Sequence, residues 1–318
     1  VWVSRTGLIV YPNDRDAIAF IDIDSVLYYQ DNPAARARDV LSIPGRVENS
    51  RFMKLTQGVD YTYDQFLGTI AFSQSFQPEQ VIAVAYSLPS GDIGTLEAKD
   101  TSRTSKLVLK LVRPRNLEPS MKPAWDLMMK NIYSLGGRGL KKEGFSLDIK
   151  YLLPGQEATK EINVSVNGKS ESFNLLNMLF LDSYDAQGTV TPDGIFDFEP
   201  GITIDVDRGE LIFPTLEPYG NHIRDFYLDK FKPTTPSEIS SVLAAADSFI
   251  IREVYDTTYN GAQNSQKNRF YVSGVTVSSV ASTYNIGFNI VEGSVDVLVD
   301  GQTATPNVDY TVDYLTGT

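Results

Sequence analysis

Residues 58–64 read GVDYTYD, and residues 68–72, after a short connection, read GTIAF. Alternation along the first run places Tyr61 and Tyr63 on one face of a strand and polar residues on the other. Gly68 supplies the positive φ that a tight reversal needs. The stretch therefore predicts a β-hairpin whose second strand is Thr69–Phe72.

The same pattern returns at the end of the chain. Asn307–Asp313 reads NVDYTVD and is followed by Gly317–Thr318, so that seven of eleven aligned positions match the first copy. A more divergent copy, Gly201–Phe213, keeps the glycines and the second aspartate with a turn two residues shorter. The last copy stops before its second strand. We therefore expect the chain to be part of a longer, repeat-bearing protein and its function to be that of a part.

Strand signals dominate the rest of the chain, as short runs of Val, Ile, Thr, Tyr and Phe bounded by turn residues. Val81–Tyr86 is continuously apolar and is predicted to lie inside a packed sheet. Helical patterns are few: Lys122–Tyr133 with an apolar face, Phe173–Phe180, and Thr235–Ala245 behind a capping box. The prediction is a mainly β fold with a minor α+β portion. It consists of antiparallel sheets or β-sandwich-like modules with two or three short helices.

The 318 residues allow two or three domains. The composition favours three modules, namely a β-rich one at 1–112, an α+β one at 113–233 and a β one at 234–318. Within the middle module, Phe145–Leu153 and Glu161–Val166 are predicted to pair with each other as strands.

Composition excludes several classes of function. The absence of cysteine rules out disulfides and thiolate metal sites. The net charge of -12 disfavours nucleic acid as a partner, because phosphate binding needs clustered basic residues. Five basic residues come closest to forming a basic patch, and we interpret them as parts of solvated loops. They are Arg113, Arg115, Arg138, Lys141 and Lys142. No apolar run approaches the ~20 residues of a membrane helix, so this segment is predicted to make no direct membrane span.

Residues for catalysis are sparse. His222 is the single histidine, and its turn-rich surroundings favour a structural or solvated role over that of a triad base. Paired carboxylates could hydrolyse glycosides, but 40 acidic residues do not single out a pair. The sequence is therefore predicted not to encode an enzyme and to need no cofactor.

One group of aspartates suggests a metal-binding site. Asp182, Asp185, Asp193 and Asp197 lie in a glycine-bearing stretch of the kind that supplies oxygen ligands to calcium. The spacing departs from the EF-hand rule, since Tyr184 replaces an oxygen ligand and no glutamate closes the loop. Turn and capping roles for these aspartates are favoured over calcium binding, and the two interpretations differ in whether calcium raises the melting temperature.

Several runs resemble the SprA/Sov family, the gliding-motility cell-surface proteins of bacteria that use type IX secretion. The runs are Val81–Tyr86, Asp126–Gly136, Pro192–Phe198, Ile212–Gly220, Tyr255–Thr258 and Val308–Tyr314. The likeness covers most of the chain from Asn49 onward, and the first 48 residues carry no motif that we assign.

The resemblance implies that the parent is a very large outer-membrane β-barrel, a translocon that exports folded cargo. This chain would then be a non-catalytic, water-exposed segment of it in the cell envelope, associated with the outer membrane and facing the periplasm or the cell surface. The implied partners are the rest of the barrel, translocon accessory proteins and secreted cargo proteins. The resemblance brings no catalytic residues.

Two other functions remain open. A carbohydrate-binding or adhesive β module would need a row of exposed aromatic side chains, for which the candidates are Tyr28, Tyr29, Tyr61, Tyr63, Tyr310 and Tyr314. A hydrolase on a β scaffold would need clustered carboxylates in a deep cleft, with one pKa raised.

Overall fold

The structure is a computed structural model. It describes residues 1–5, 11–38, 40–65, 68–74, 76–96, 105–185, 187–277, 284, 286, 290–291, 293–299, 302–306, 310, 312 and 314. Contacts divide the chain into two compact units. The barrel unit comprises Val1–Met128 with Asp256–Thr258, and the mixed unit comprises Met129–Tyr255 with Tyr259–Thr318.

The barrel unit is built around a closed barrel of five strands in the order β1-β3-β2-β9-β6. Strands β2 and β9 are parallel, and the other neighbours in the barrel are antiparallel. Its elements are β1 (Trp2–Ser4), β2 (Arg15–Phe20), α1 (Ile23–Asp31), α2 (Pro33–Arg36), β3 (Val47–Lys54), β4 (Tyr61–Asp64), β5 (Thr69–Phe72), β6 (Ile82–Val84), β7 (Tyr86–Leu88), β8 (Gly91–Ile93), β9 (Leu107–Arg113) and α3 (Lys122–Trp125).

Alternate residues of the barrel strands fill its interior. Ala17 and Ala19 of β2, Phe52 of β3, and Leu109 and Leu111 of β9 are fully buried and pack in one cluster. The opposite faces of β2 and β9 form a second cluster with Val26 of α1. The strands therefore bury side chains on both faces, which is why Val81–Val84 and the start of β9 are continuously apolar.

The mixed unit combines small antiparallel sheets with helices. Strand β11 pairs with β16, β12 pairs with β13, and β10, β15 and β14 form a three-stranded sheet. Its elements are β10 (Ile132–Ser134), β11 (Ser146–Tyr151), β12 (Glu161–Val166), β13 (Lys169–Asn174), α4 (Leu175–Met178), β14 (Ile204–Asp205), β15 (Glu210–Ile212), α5 (Asn221–Phe231), α6 (Pro236–Asp247), α7 (Glu253–Asp256, which ends across the division), α8 (Tyr259–Gln263), β16 (Phe270–Val275), β17 (Leu298–Val299) and β18 (Gln302–Thr303).

One continuous core holds the mixed unit together. Leu179, Leu181, Phe213, Ile223 and Tyr227 are completely buried within it. Aromatic rings of several elements meet there edge to face, for example Phe173 of β13 against Phe226 of α5. Burial of such rings is the main contribution to the stability of a unit of this size.

The repeated sequence forms the same turn in two copies. The N–H of Gly58 donates to Tyr61 O at 2.8 Å, and the N–H of Gly201 donates to Ile204 O at 2.8 Å. The two glycines have φ of 82° and 81°. In each copy the N–H of the first turn residue donates to a side chain four residues later, Asp60 in the first and Thr203 in the second. The divergent copy is therefore a structural repeat.

A hairpin follows each turn, β4–β5 in the first copy and β14–β15 in the second. Gly68 and Gly209 stand before the second strand with φ of 65° and 67°, as the sequence pattern predicts. Of the last copy, the structure describes a bridge between Pro306 and Tyr310 that matches the opening bridge of the other two. The rest of that copy lies mostly outside the described residues.

The mainly β class is confirmed, because strands hold more of the chain than helices do. Antiparallel pairing prevails as predicted, and the sheet of the barrel unit closes into a barrel that the prediction of antiparallel sheets or sandwich-like modules did not include. The described residues contain eight helices, most of them short, instead of two or three. Helix α6 has the predicted capping box, with Thr235 and Glu238 each bonded to the backbone of the other.

The prediction of a helix over Lys122–Tyr133 is correct for the first turn only. Helix α3 ends at Trp125, and Ile132–Ser134 forms strand β10 instead. Strand β10 pairs with β15, and the Tyr133 ring packs edge to face on Phe213. Pairing and burial of Tyr133 outweigh a helical preference that amounts to a few tenths of a kcal/mol per residue.

The predicted pairing of Phe145–Leu153 with Glu161–Val166 is also wrong. Both segments are strands, but β11 pairs with β16 and β12 forms a hairpin with β13. One bridge, Tyr151 to Thr159, joins β11 to the residues just before β12. The β11–β16 ladder brings residues from both sides of position 233 into one sheet, whereas the sequence suggested a module boundary there. Helix α4 is shorter than predicted, because Phe173 belongs to β13.

Candidate functional site

The four aspartates of the calcium hypothesis bind backbone N–H groups. Asp182 accepts from Asp193 at 3.0 Å and from Gly194 at 2.9 Å. Asp197 accepts from Ser183 at 2.6 Å and from Tyr184 at 3.2 Å. These bonds fold the 182–197 loop onto itself.

The other two aspartates make turns of the same kind. Asp185 accepts from Gln187 and Thr189, and Asp193 accepts from Ile195 two residues on. Within the described part of the chain, no group of three or more acidic or histidine side chains is placed to hold a metal ion. The geometry thus favours the turn and capping roles over a calcium loop.

Asp182 is the buried member of the set, with 1% of its surface exposed. Burial raises the pKa of this carboxyl, and the negative charges of Asp193 and Asp197 act in the same direction. The two backbone N–H groups oppose the shift without cancelling it.

His222 is buried near the start of α5. Its Nε2 lies 2.6 Å from the carbonyl oxygen of Met178, and the ring packs edge to face on Phe180. Burial lowers the pKa of the imidazole. The ring links α5 to α4, which agrees with a structural role for this histidine.

A polar cluster fixes the 214–220 loop of the mixed unit. Glu217 forms a salt bridge with Lys130 at 3.0 Å and accepts from Asn221 at 2.6 Å. The N–H of Tyr219 donates to the Tyr255 hydroxyl at 2.8 Å. Glu217 and the backbone of Tyr219 therefore anchor this loop, which the sequence alone did not reveal.

The six candidate tyrosines do not form a single row. Tyr28 lies on α1 and is 59% exposed, whereas the ring of the next residue, Tyr29, stacks on Phe20 of β2. Tyr61 and Tyr63 lie on β4. The Tyr310 hydroxyl donates to the Val295 carbonyl at 3.1 Å, in a stretch of which only part is described. Tyr314 lies in the same stretch.

Two of these tyrosines line an apolar groove of about 460 Å³ in the barrel unit. Tyr63 and Ile70 face each other across the β4–β5 hairpin, and Tyr86 and Leu88 of β7 complete the lining. Tyr63 is 53% exposed and Leu88 is 46% exposed. Tyr86, predicted with Val81–Tyr86 to lie inside a packed sheet, instead belongs to β7 and lines the groove, because β6 ends at Val84.

The groove, as far as its described lining shows, contains no Asp, Glu, Lys or Arg side chain. Gln57 and Ser87 contribute polar groups beside the tyrosine hydroxyls. Apolar walls with a few polar groups are typical of sites for uncharged ligands.

Among the helices of the described residues, none has the length and apolar character that crossing a bilayer requires. No protein-family model matches the chain, and no curated protein is detectably similar to it. Its function is therefore inferred from its residues and its fold.

Proposed function

We propose that this chain is a non-catalytic segment of a large outer-membrane protein-export translocon, within the cell envelope, and that it works by surface contact. The resemblance of six sequence runs to the SprA/Sov family supports the assignment to a translocon and to the cell envelope. The contacts would be with the parent barrel, its accessory proteins or secreted cargo. The polar groups with catalytic potential, His222 and the loop aspartates, are engaged with backbone groups, which favours a binding role.

The observation that carries the proposal is an exposed aliphatic side chain at the same place in two repeat copies. Val59 follows Gly58 and is 67% exposed, and Ile202 follows Gly201 and is 61% exposed. The turn is closed by backbone bonds and by a polar side chain, so it has no need of an apolar group at this position. The recurrence of an exposed aliphatic residue at the same turn position in both copies supports a contact point there.

Photo-crosslinking in a bacterium that carries this chain tests the proposal. A photoreactive amino acid at Val59 or Ile202 is expected to crosslink to the barrel, an accessory protein or cargo. The same amino acid at Glu79, an exposed loop position, serves as the control.

The double variant Val59→Asp, Ile202→Asp is expected to reduce the export of a reporter cargo at an unchanged cellular level of the chain. Normal export, with no crosslinks above those at Glu79, would contradict the proposal. Turnover of a small molecule by the purified chain, abolished by one point substitution, would also contradict it.

A second candidate function, saccharide binding, is favoured by the tyrosine-lined groove. Sugar rings stack their C–H faces on aromatic rings while hydroxyl and amide groups bind their hydroxyls, and Tyr63, Tyr86 and Gln57 offer both features. A glycan array with the intact chain tests this candidate. Binding that is lost in Tyr63→Ala and retained in Tyr28→Ala would support it, and an array without binding would remove it.

A further inference from the structure

Glu48 lies at one end of the barrel, with 5% of its surface exposed. It is the register partner of Ala19 and stands four residues before Phe52 on β3. Strand alternation therefore directs it to the face that lines the barrel interior. The interior beside it is apolar. Burying a carboxylate in such a place costs free energy unless a partner offsets the charge.

One hydrogen bond from the described residues reaches this carboxylate. One oxygen, Oε1, accepts from the backbone N–H of Arg115 at 3.1 Å. The described residues provide no hydrogen bond to the other oxygen and no ion pair to the carboxylate. The Arg115 guanidinium likewise forms no ion pair within the described chain.

A cavity of about 510 Å³ opens beside Glu48. The charged residues that line it differ in exposure. Glu48 is buried, whereas Arg115 and Glu118 are exposed at the rim. Asn49 also lines the cavity, and its side-chain N–H donates to the Val40 carbonyl. The remaining lining residues are Ser42, Pro44, Asn116 and Met121.

We propose that this cavity binds a small zwitterion of the α-amino acid class. Its ammonium group reaches Glu48, and its carboxylate reaches Arg115. An ammonium carries three N–H donors, one of which suits the Glu48 oxygen that accepts no hydrogen bond from the described residues. A guanidinium at the rim binds a carboxylate through two parallel hydrogen bonds. A calcium ion would require several oxygen ligands around it, and the cavity offers only one buried carboxylate.

Isothermal titration calorimetry of the 318-residue chain tests the site, with alanine and serine as zwitterionic probes. Methylammonium carries only a positive charge and acetate only a negative charge, so each tests one half of the proposed site. We expect the amino acids to bind, methylammonium to bind more weakly, and acetate not to bind. An absence of heat from either amino acid at 20 mM (a concentration chosen to reveal weak binding) would overturn the proposal, as would equal binding of methylammonium.

Variants assign the binding to these residues. Glu48→Gln keeps an oxygen for the Arg115 N–H and is expected to weaken amino-acid binding about tenfold or more. Arg115→Gln, at an exposed position, is expected to remove the preference for amino acids over methylammonium. Glu79→Gln, at an exposed site in the same unit, is the control and should bind like the unmodified chain. Unchanged affinity in Glu48→Gln or in Arg115→Gln would overturn the proposal.

Discussion

Single aspartates organise the loop at 182–197 by accepting backbone N–H groups. Asp182 does so from a buried position, where its charge is costly, and its pKa is raised as a result. The loop gains two hydrogen bonds that water cannot replace, because Asp182 is almost fully buried. Such a carboxylate links loop structure to pH.

The variant Asp182→Asn tests this link. Burial holds the folded-state pKa above that of the unfolded chain. The stability that Asp182 contributes is thus fully present below the unfolded pKa of about 4 and is lost as pH rises through the folded pKa. Asparagine does not titrate, and its oxygen cannot serve both N–H groups as a carboxylate does.

We expect Asp182→Asn to lower the free energy of unfolding by about 1–3 kcal/mol, with a larger deficit at pH 5 than at pH 7.5. Urea unfolding at the two pH values measures this. Asp193→Asn is the matched control, since asparagine can still accept from Ile195, and it should change stability by less than about 0.5 kcal/mol. A deficit for Asp182→Asn that grows with pH would show that the sign is wrong.

Calcium provides a separate test of the same loop. Because its aspartates are directed at N–H groups, we expect the melting temperature in millimolar calcium to equal that in chelator. Differential scanning calorimetry measures the comparison. A rise with calcium that disappears in Asp185→Ala would restore the calcium hypothesis.

The repeated hairpins share one local design and differ in their surroundings. Gly68 and Gly209 have nearly the same positive φ. A Cβ at Gly68 would meet no atom within 4 Å among the described residues, whereas a Cβ at Gly209 would collide with the carbonyl of Gly137. The same turn is thus exposed in one copy and packed against neighbouring backbone in the other.

This difference predicts unequal costs for the same substitution. Gly68→Ala should lower the free energy of unfolding by about 1–2 kcal/mol, the cost of a left-handed residue with a side chain. Gly209→Ala adds a steric clash with backbone and should cost about 3 kcal/mol or more. Chemical denaturation of the two variants gives the comparison, and equal costs would contradict the observed packing.

Helix α6 illustrates an element whose start is encoded locally. The capping box of Thr235 and Glu238 satisfies N–H groups that the first turn would otherwise leave without partners. Proline at the first helical position adds a fixed φ. A helix that begins in this way is recognisable without knowledge of what it packs on.

The described residues form four hydrophobic clusters, three in the barrel unit and one in the mixed unit. Leu109 lies in the core of the barrel unit and Leu179 in that of the mixed unit, and both are fully buried. The two tryptophans of the chain, Trp2 and Trp125, belong to the barrel unit. Tryptophan fluorescence therefore reports on the barrel unit.

Leu109→Ala is expected to lower the free energy of the fluorescence-detected transition by about 2–5 kcal/mol. Leu179→Ala should shift that transition less and should instead shift the one seen by far-UV circular dichroism. Leu41→Ala, at a side chain that is 78% exposed, is the control and should leave both transitions in place. Equal fluorescence shifts for the two buried leucines would mean that the chain unfolds as one cooperative body.

Features that depend on neighbours in sequence were predictable. The mainly β class, the turn shared by Gly58 and Gly201, and the capped start of α6 follow from alternation, glycine φ and capping chemistry, which act over a few residues. The turn roles of the loop aspartates were also recognisable, since Asx turns are local.

Features that depend on distant contacts required the fold. Closure of the barrel, pairing of β11 with β16, and replacement of a predicted helix by β10 follow from which surfaces pack together over long chain separations. The same holds for the cavity at Glu48, because a glutamate in a strand has the same local pattern whether it faces water or a barrel interior. Alternation specifies that a side chain belongs to one face of its strand, whereas packing of the other strands decides whether that face is buried.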